Sequence, residues 1–150
     1  MNITDALIQI FSAAVGTLGF AFVFNIRGKK VFFAALGGFL GWVLFLRFGL
    51  FLKSEVIRYL IVSLVISIYA ELMARILKTP TTLFSVVCLI PLVPGGGLYY
   101  TMTNALSGNF GGFIEKGGNT LLLASALSLG VVIVNTSCLY VKRHLIRKKQ

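Results

Sequence analysis

The sequence predicts an all-α integral membrane protein of five transmembrane helices, the fourth broken at Pro91–Gly97, with the N-terminus outside and the C-terminus cytoplasmic. Three observations carry that prediction. Of 150 residues, 57% are hydrophobic and only 12% charged, whereas a soluble domain carries roughly a quarter charged residues. Apolar stretches recur at the ~20-residue length that a helix needs to cross a bilayer. The basic residues, finally, collect in alternate connections. Fourteen bases and four acids cannot supply the polar skin that a water-soluble core of this size needs, which excludes a soluble enzyme. Two cysteines make no disulfide framework.

Taken in order, the spans are about 3–24, 31–51, 56–77, 82–104 and 119–141, followed by a basic tail at 142–150, and together they make residues 1–150 a single transmembrane domain. Backbone polar groups in lipid must pair internally, so helices are the expected form. The first span opens with Asp5 and has its positive cluster afterwards, the reverse of a cleaved signal peptide. The second carries Gly37-x-x-x-Gly41, a small-xxx-small pattern that admits a closely packed neighbour. The fifth aligns Ser125, Ser128 and Asn135, as either interhelical hydrogen-bonding groups or a pore-lining stripe. Cys88 and Cys138 lie in apolar stretches without metal-type spacing and are expected to pack as small hydrophobes.

The bases then orient the path. Arg27, Lys29 and Lys30, then Arg75 and Lys78, then Lys142, Arg143, Arg147, Lys148 and Lys149 all fall on one side of a five-span chain; Arg47, Lys53, Arg58 and Lys116 fall on the other. That asymmetry places the first group in the cytoplasm. The net charge of +10 is therefore a topology signal, and the tail, with the single histidine His144, is expected at anionic lipid headgroups and not on nucleic acid. Arg47 is expected to snorkel outward, the alternative being contact with Glu55 or a substrate carboxylate.

The fourth span is the exception to regular helix. Pro91-Leu92-Val93-Pro94-Gly95-Gly96-Gly97 interrupts it centrally: each proline removes a donor and clashes with the preceding turn, and three glycines favour non-helical backbone. The break is expected near the bilayer midplane, where irregular backbone survives only inside protein or beside an aqueous cavity. Two readings stand: a proline kink fitted to a neighbour, or a discontinuous helix whose free N–H groups meet a substrate anion. Glu71 and Arg75, four apart in the third span, are an i,i+4 ion pair near the interface or a group for proton coupling or a substrate amine. HExxH, GxSxG, paired aspartates and a cysteine–histidine set are all missing from the sequence, so neither an enzyme nor a metal or other cofactor is expected.

Glu71-x-x-x-Arg75, Lys78-Thr79-Pro80, an apolar run, and Pro91 to Gly97 with Tyr99 resemble the threonine/serine exporter family, specifically the small membrane subunit of its two-component form. The length, the spans and the glycine-rich segment 107–118 agree with this. The resemblance implies a secondary exporter of small hydrophilic metabolites, working with a larger membrane subunit on threonine- or serine-type amino acids or C4-dicarboxylates such as succinate. It points to Pro91, Pro94, Gly95, Gly96 and Gly97 as the substrate-binding core, with Glu71 and Arg75 second. A non-transporting scaffold subunit of another membrane complex is the alternative.

Overall fold

The computed structural model describes the backbone of residues 3–147 and the side chains of residues 3–141. It is helical throughout: α1 (Ile3–Val23), α2 (Lys29–Phe51), α3 (Glu55–Ile76), α4 (Thr81–Leu89), a 3-10 turn (Ile90–Leu92), α5 (Gly95–Leu106) and α6 (Phe110–Arg147). Four of these helices are long and apolar enough to cross a membrane, and the broken pair formed by α4 and α5, bent by 62°, makes up to five.

The connections are short because the chain reverses immediately after three of the helices. Asn25, Lys78 and Gly108 take positive φ values of 57°, 48° and 71°. After α1, Ile26 N–H bonds Ala21 O and Asn25 N–H bonds Phe22 O, both at 2.9 Å. After α3, Thr79 N–H bonds Ala74 O at 2.9 Å and Lys78 N–H bonds Arg75 O at 3.3 Å. After α5, Asn109 N–H bonds Asn104 O at 3.0 Å and Gly108 N–H bonds Ala105 O at 3.3 Å. This paired pattern satisfies carbonyls that a helix end leaves free and stops the helix in one turn.

The interior combines large apolar residues, Phe84, Ile66 and Leu92 among them, with small and polar ones such as Ala34, Ala70, Thr17, Ser63 and Ser67, while other large apolar residues such as Phe11, Phe22, Phe32 and Leu50 are exposed. That apolar exterior suits a bundle in lipid, where close packing rather than hydrophobicity holds helices together. One glycine docks most pairs. A Cβ at Gly38 would meet Thr17 Cβ of α1 at 2.8 Å; one at Gly37 would meet Cys88 Sγ of α4 at 2.5 Å; one at Gly41 would meet Ile66 of α3 at 3.4 Å. Gly130 of α6 abuts Ser63 of α3, and Gly97 of α5 abuts Thr120 of α6. Tyr69 of α3 clips onto α2 by donating to Phe33 O at 2.8 Å. The sequence expectation for Gly37 and Gly41 is met; Gly16 and Gly19 of α1, by contrast, have nothing within 4 Å of a notional Cβ.

Two boundaries differ from expectation. The last helix starts at Phe110, not near residue 119, so the glycine-rich segment is helical from Phe110 onward. Its start is set by Asn109, whose Oδ1 accepts Gly112 N–H at 3.1 Å, a side-chain cap of the first turn. The helix also continues through Arg147 where a separate tail was expected; the side chains of residues 142–150, His144 among them, lie outside the described residues. At 38 residues, α6 is ~57 Å long, well beyond the ~30 Å of a hydrocarbon core. Its first turns pack against α5, which has no buried residue of its own.

Candidate functional site

The break sits at mid-bundle. Leu92, fully buried in the 3-10 turn, approaches Gly41 at 3.6 Å from a notional Cβ, alongside Ile66; both partners lie halfway along their helices. Val93 N–H returns to Ile90 O at 3.1 Å and Gly95 N–H to Val93 O at 2.7 Å, and Leu98 N–H is the first to reach back four residues, to Pro94 O at 3.2 Å. Gly96 and Gly97 N–H therefore have no backbone partner among the described residues, and no side chain caps α5. They are the free donors expected at a helix start.

Those glycines open onto a cavity of about 300 Å³ lined by Val93, Pro94, Gly95, Gly96 and Gly97 from the break, Trp42 of α2, Glu55 and Tyr59 of α3, and Lys116, Asn119, Thr120 and Leu123 of α6. Four of the five residues singled out at the break line it; Pro91 stays in the 3-10 turn and does not. A Cβ at Gly95 or Gly96 would find nothing within 4 Å. The backbone there is open to a ligand.

Both signs of charge reach the cavity. Glu55 Oε1 accepts from Arg58 Nη2 at 3.3 Å, and Arg58 lies over the Phe45 ring at 4.4 Å, so Arg58 and not Arg47 is the partner of Glu55. Lys116 Nζ is 3.5 Å from its exposed neighbour Glu115. Trp42 Nε1 donates to Gln9 Oε1 at 3.3 Å, fastening α1 to this end.

A second cavity, about 420 Å³, lies at the other end of α3, where the turns carrying Arg27, Lys29, Lys30 and Lys78 gather. Glu71, Arg75, Thr81, Thr82, Asn135, Cys138 and Leu139 line it. Glu71 and Arg75 form the expected i,i+4 ion pair: Nε and Nη2 both reach Oε1, at 2.8 and 2.7 Å. The Glu71 side chain is only 12% exposed. Of the fifth-span stripe, Ser128 donates within its own helix to Ser125 O at 3.0 Å, and Asn135 faces this cavity.

Sequence reasoning passed over Glu55, Tyr59, Lys116, Asn119, Thr120, Thr81 and Thr82, yet a signal was there. Glu55, Tyr59, Ser63, Ser67, Glu71 and Arg75 follow one another at steps of four along α3. Such a ridge turns by about 40° per step, so it winds around the helix and leaves no single polar face. It begins in one cavity and ends in the other. Between them, Ser67 Oγ and Ser85 Oγ of the adjoining α4 are buried with no hydrogen-bond partner.

The chain matches the family described as Threonine/Serine exporter, ThrE, over residues 9–137. No solved structure matches it.

Proposed function

The chain belongs to the threonine/serine exporter family, and on that premise we propose that it is one subunit of a secondary exporter that moves threonine- or serine-type amino acids out of the cell. It is a multi-pass membrane protein of a transporter family and not an enzyme. The proposal extends to its mode of action: residues 1–150 act as a single transmembrane domain in the cytoplasmic membrane, paired with a larger membrane subunit. Export is driven by the proton gradient, the C-terminus is cytoplasmic, and the N-terminus is outside.

The observation that carries the reading is the cavity at the break. Pro91 and Pro94 end α4 and turn the chain; Gly96 and Gly97 then present N–H groups without a backbone partner among the described residues, and no side chain stands over Gly95 or Gly96. An anion is favoured at such a helix start. A carboxylate and an ammonium flank it, Glu55 and Lys116. An amino-acid zwitterion has a partner for each of its charges there, whereas a C4-dicarboxylate brings a second anion towards Glu55. That comparison favours the amino acid over succinate. Glu71, nearly buried beside Arg75, is the carboxylate assigned to coupling, because an ionisable side chain within a span is retained for a function.

The ten bases that share one side of the path support the orientation. Binding sites at the interface of two halves in many carriers, with five spans if the bent pair is one, support the partner. The test is efflux from proteoliposomes containing the chain and the proposed larger subunit, loaded with labelled L-threonine or succinate under an imposed pH gradient. Gradient-dependent threonine efflux that needs both subunits is expected. Equal efflux with the gradient collapsed overturns the coupling; no efflux of either solute overturns the exporter reading.

A further inference from the structure

The Glu71–Arg75 cavity differs from an ordinary interfacial ion pair in one respect. Both donors of Arg75 fall on Oε1 of Glu71, at 2.8 and 2.7 Å, instead of engaging the two oxygens as a parallel fork. Oε2 and Arg75 Nη1 thus take no hydrogen bond among the described residues, on a carboxylate whose side chain is 12% exposed. Around them stand three further polar groups with unused capacity: the Thr81 and Thr82 hydroxyls at the start of α4 and the Asn135 amide on α6. Asn135 is partly buried and turns its amide to this space. The space, about 420 Å³, lies in the range of small-molecule sites.

We propose that this cavity is a second amino-acid site, entered from the basic end of the bundle, in which Glu71 Oε2 takes the substrate ammonium, Arg75 Nη1 its carboxylate, and Asn135 with Thr81 and Thr82 the side-chain hydroxyl. The assignment rests on the exporter reading, and it places uptake of the solute at the opposite end of α3 from the cavity at the break. The ion pair supplies both charges of a zwitterion from a single i,i+4 step of α3. A solute that lacks either charge leaves one of them without its second partner, and a solute that lacks the hydroxyl leaves the Asn135 amide unmet. Selectivity against the missing group is the expected consequence, because a polar group of the site then loses its partner.

Equilibrium binding of labelled L-threonine to the full chain in lipid nanodiscs tests the assignment, with Gly96→Leu as the background that obstructs the other cavity. That variant is expected to bind one L-threonine. On the same background, Arg75→Gln and Asn135→Leu each weaken binding at least tenfold, Thr82→Val weakens it about threefold, and Arg75→Lys recovers part of the loss. L-Serine competes well, L-2-aminobutyrate at least tenfold less well, and succinate less than either. Thr82 is exposed, so its substitution tests the site without disturbing packing even where Asn135→Leu fails to fold. Unchanged affinity in Arg75→Gln and Thr82→Val, or succinate competing as well as L-serine, overturns the proposal. If the Gly96→Leu chain binds nothing while the unsubstituted pair still exports threonine, this site falls and the exporter reading stands; if the pair exports nothing, the exporter reading falls and this assignment with it.

Discussion

Gly130→Ala is expected to loosen the contact that holds α3 against α6, and the geometry sets the size of the effect. The added Cβ would lie 2.9 Å from Ser63 Cβ and 3.1 Å from the backbone nitrogen of Leu64. Carbon contacts are at their best at ~3.5–4.0 Å, and a gap of ~0.5–1 Å forfeits a quarter to a half of each contact's attraction. The helices must therefore part by about that amount at this contact. Overpacking of this kind costs ~1–3 kcal/mol. Ser63→Gly clears the closest atoms but leaves the Leu64 nitrogen in place, so its rescue is partial by construction. Alone it costs about 1 kcal/mol as a helix-interior glycine. In its presence, Gly130→Ala should cost less than half of what it costs otherwise, a coupling of ~1–2 kcal/mol. The measurement is unfolding of the purified chain in mixed micelles, followed through its single tryptophan, Trp42, for both single variants and the double. If Gly130→Ala costs the same with and without Ser63→Gly, the close approach at Ser63 does not govern this interface and the argument fails.

Three other outcomes are expected. Gly96→Leu adds four carbons, roughly 100 Å³ at the ~30 Å³ that a water occupies, to a cavity of about 300 Å³ at a position with open space; threonine efflux should fall at least tenfold while helix content and unfolding midpoint stay unchanged, and retained efflux would remove the break from the substrate path. Ser67→Ala and Ser85→Ala each delete a buried hydroxyl without a partner, so stability should rise by ~1 kcal/mol; a loss of that size in the unfolding assay would mean that the hydroxyls are satisfied. Lys78→Gly relieves a left-handed residue (φ 48°) and should add about 1 kcal/mol, whereas an unchanged or lower midpoint would show that the Lys78 side chain contributes more than the strain it imposes.

How much of this was legible before folding varies by element. The spans were, because each follows from composition and length: α2 and α3 lie within two residues of their expected limits. The break was legible at its prolines but not at its glycines: the 3-10 turn and Val93–Pro94 interrupt the helix, whereas Gly95, Gly96 and Gly97, expected to be non-helical, form the first turn of α5. The start of α6 was not. Gly111, Gly112, Gly117 and Gly118 argue against helix locally, and the cap from Asn109 together with packing of Gly112 against Asn104 and Gly97 against Thr120 overrides them. The cavities were partly visible. Gly95–Gly97 and the Glu71–Arg75 pair announce themselves by breaking a rule within a few residues, while Lys116, Asn119, Thr81 and Asn135 are unremarkable until another helix is laid beside them.

By itself, then, the sequence determined that this chain lives in a membrane, where its helices run, which ends gather the positive charge, and which turn is irregular. Each of those properties is local, decided by the transfer of a ~20-residue segment into hydrocarbon or by the backbone freedom of a few residues. Tertiary structure alone decided which polar groups share a space. The break meets Glu55 and Lys116, from positions 40 residues before it and 20 after it, only because glycines on α2, α5 and α6 let neighbouring helices come into contact at those heights. The ridge along α3 joins one cavity to the other because its four-residue step winds around the helix, and only neighbours packed on each side convert that winding into two separate polar chambers.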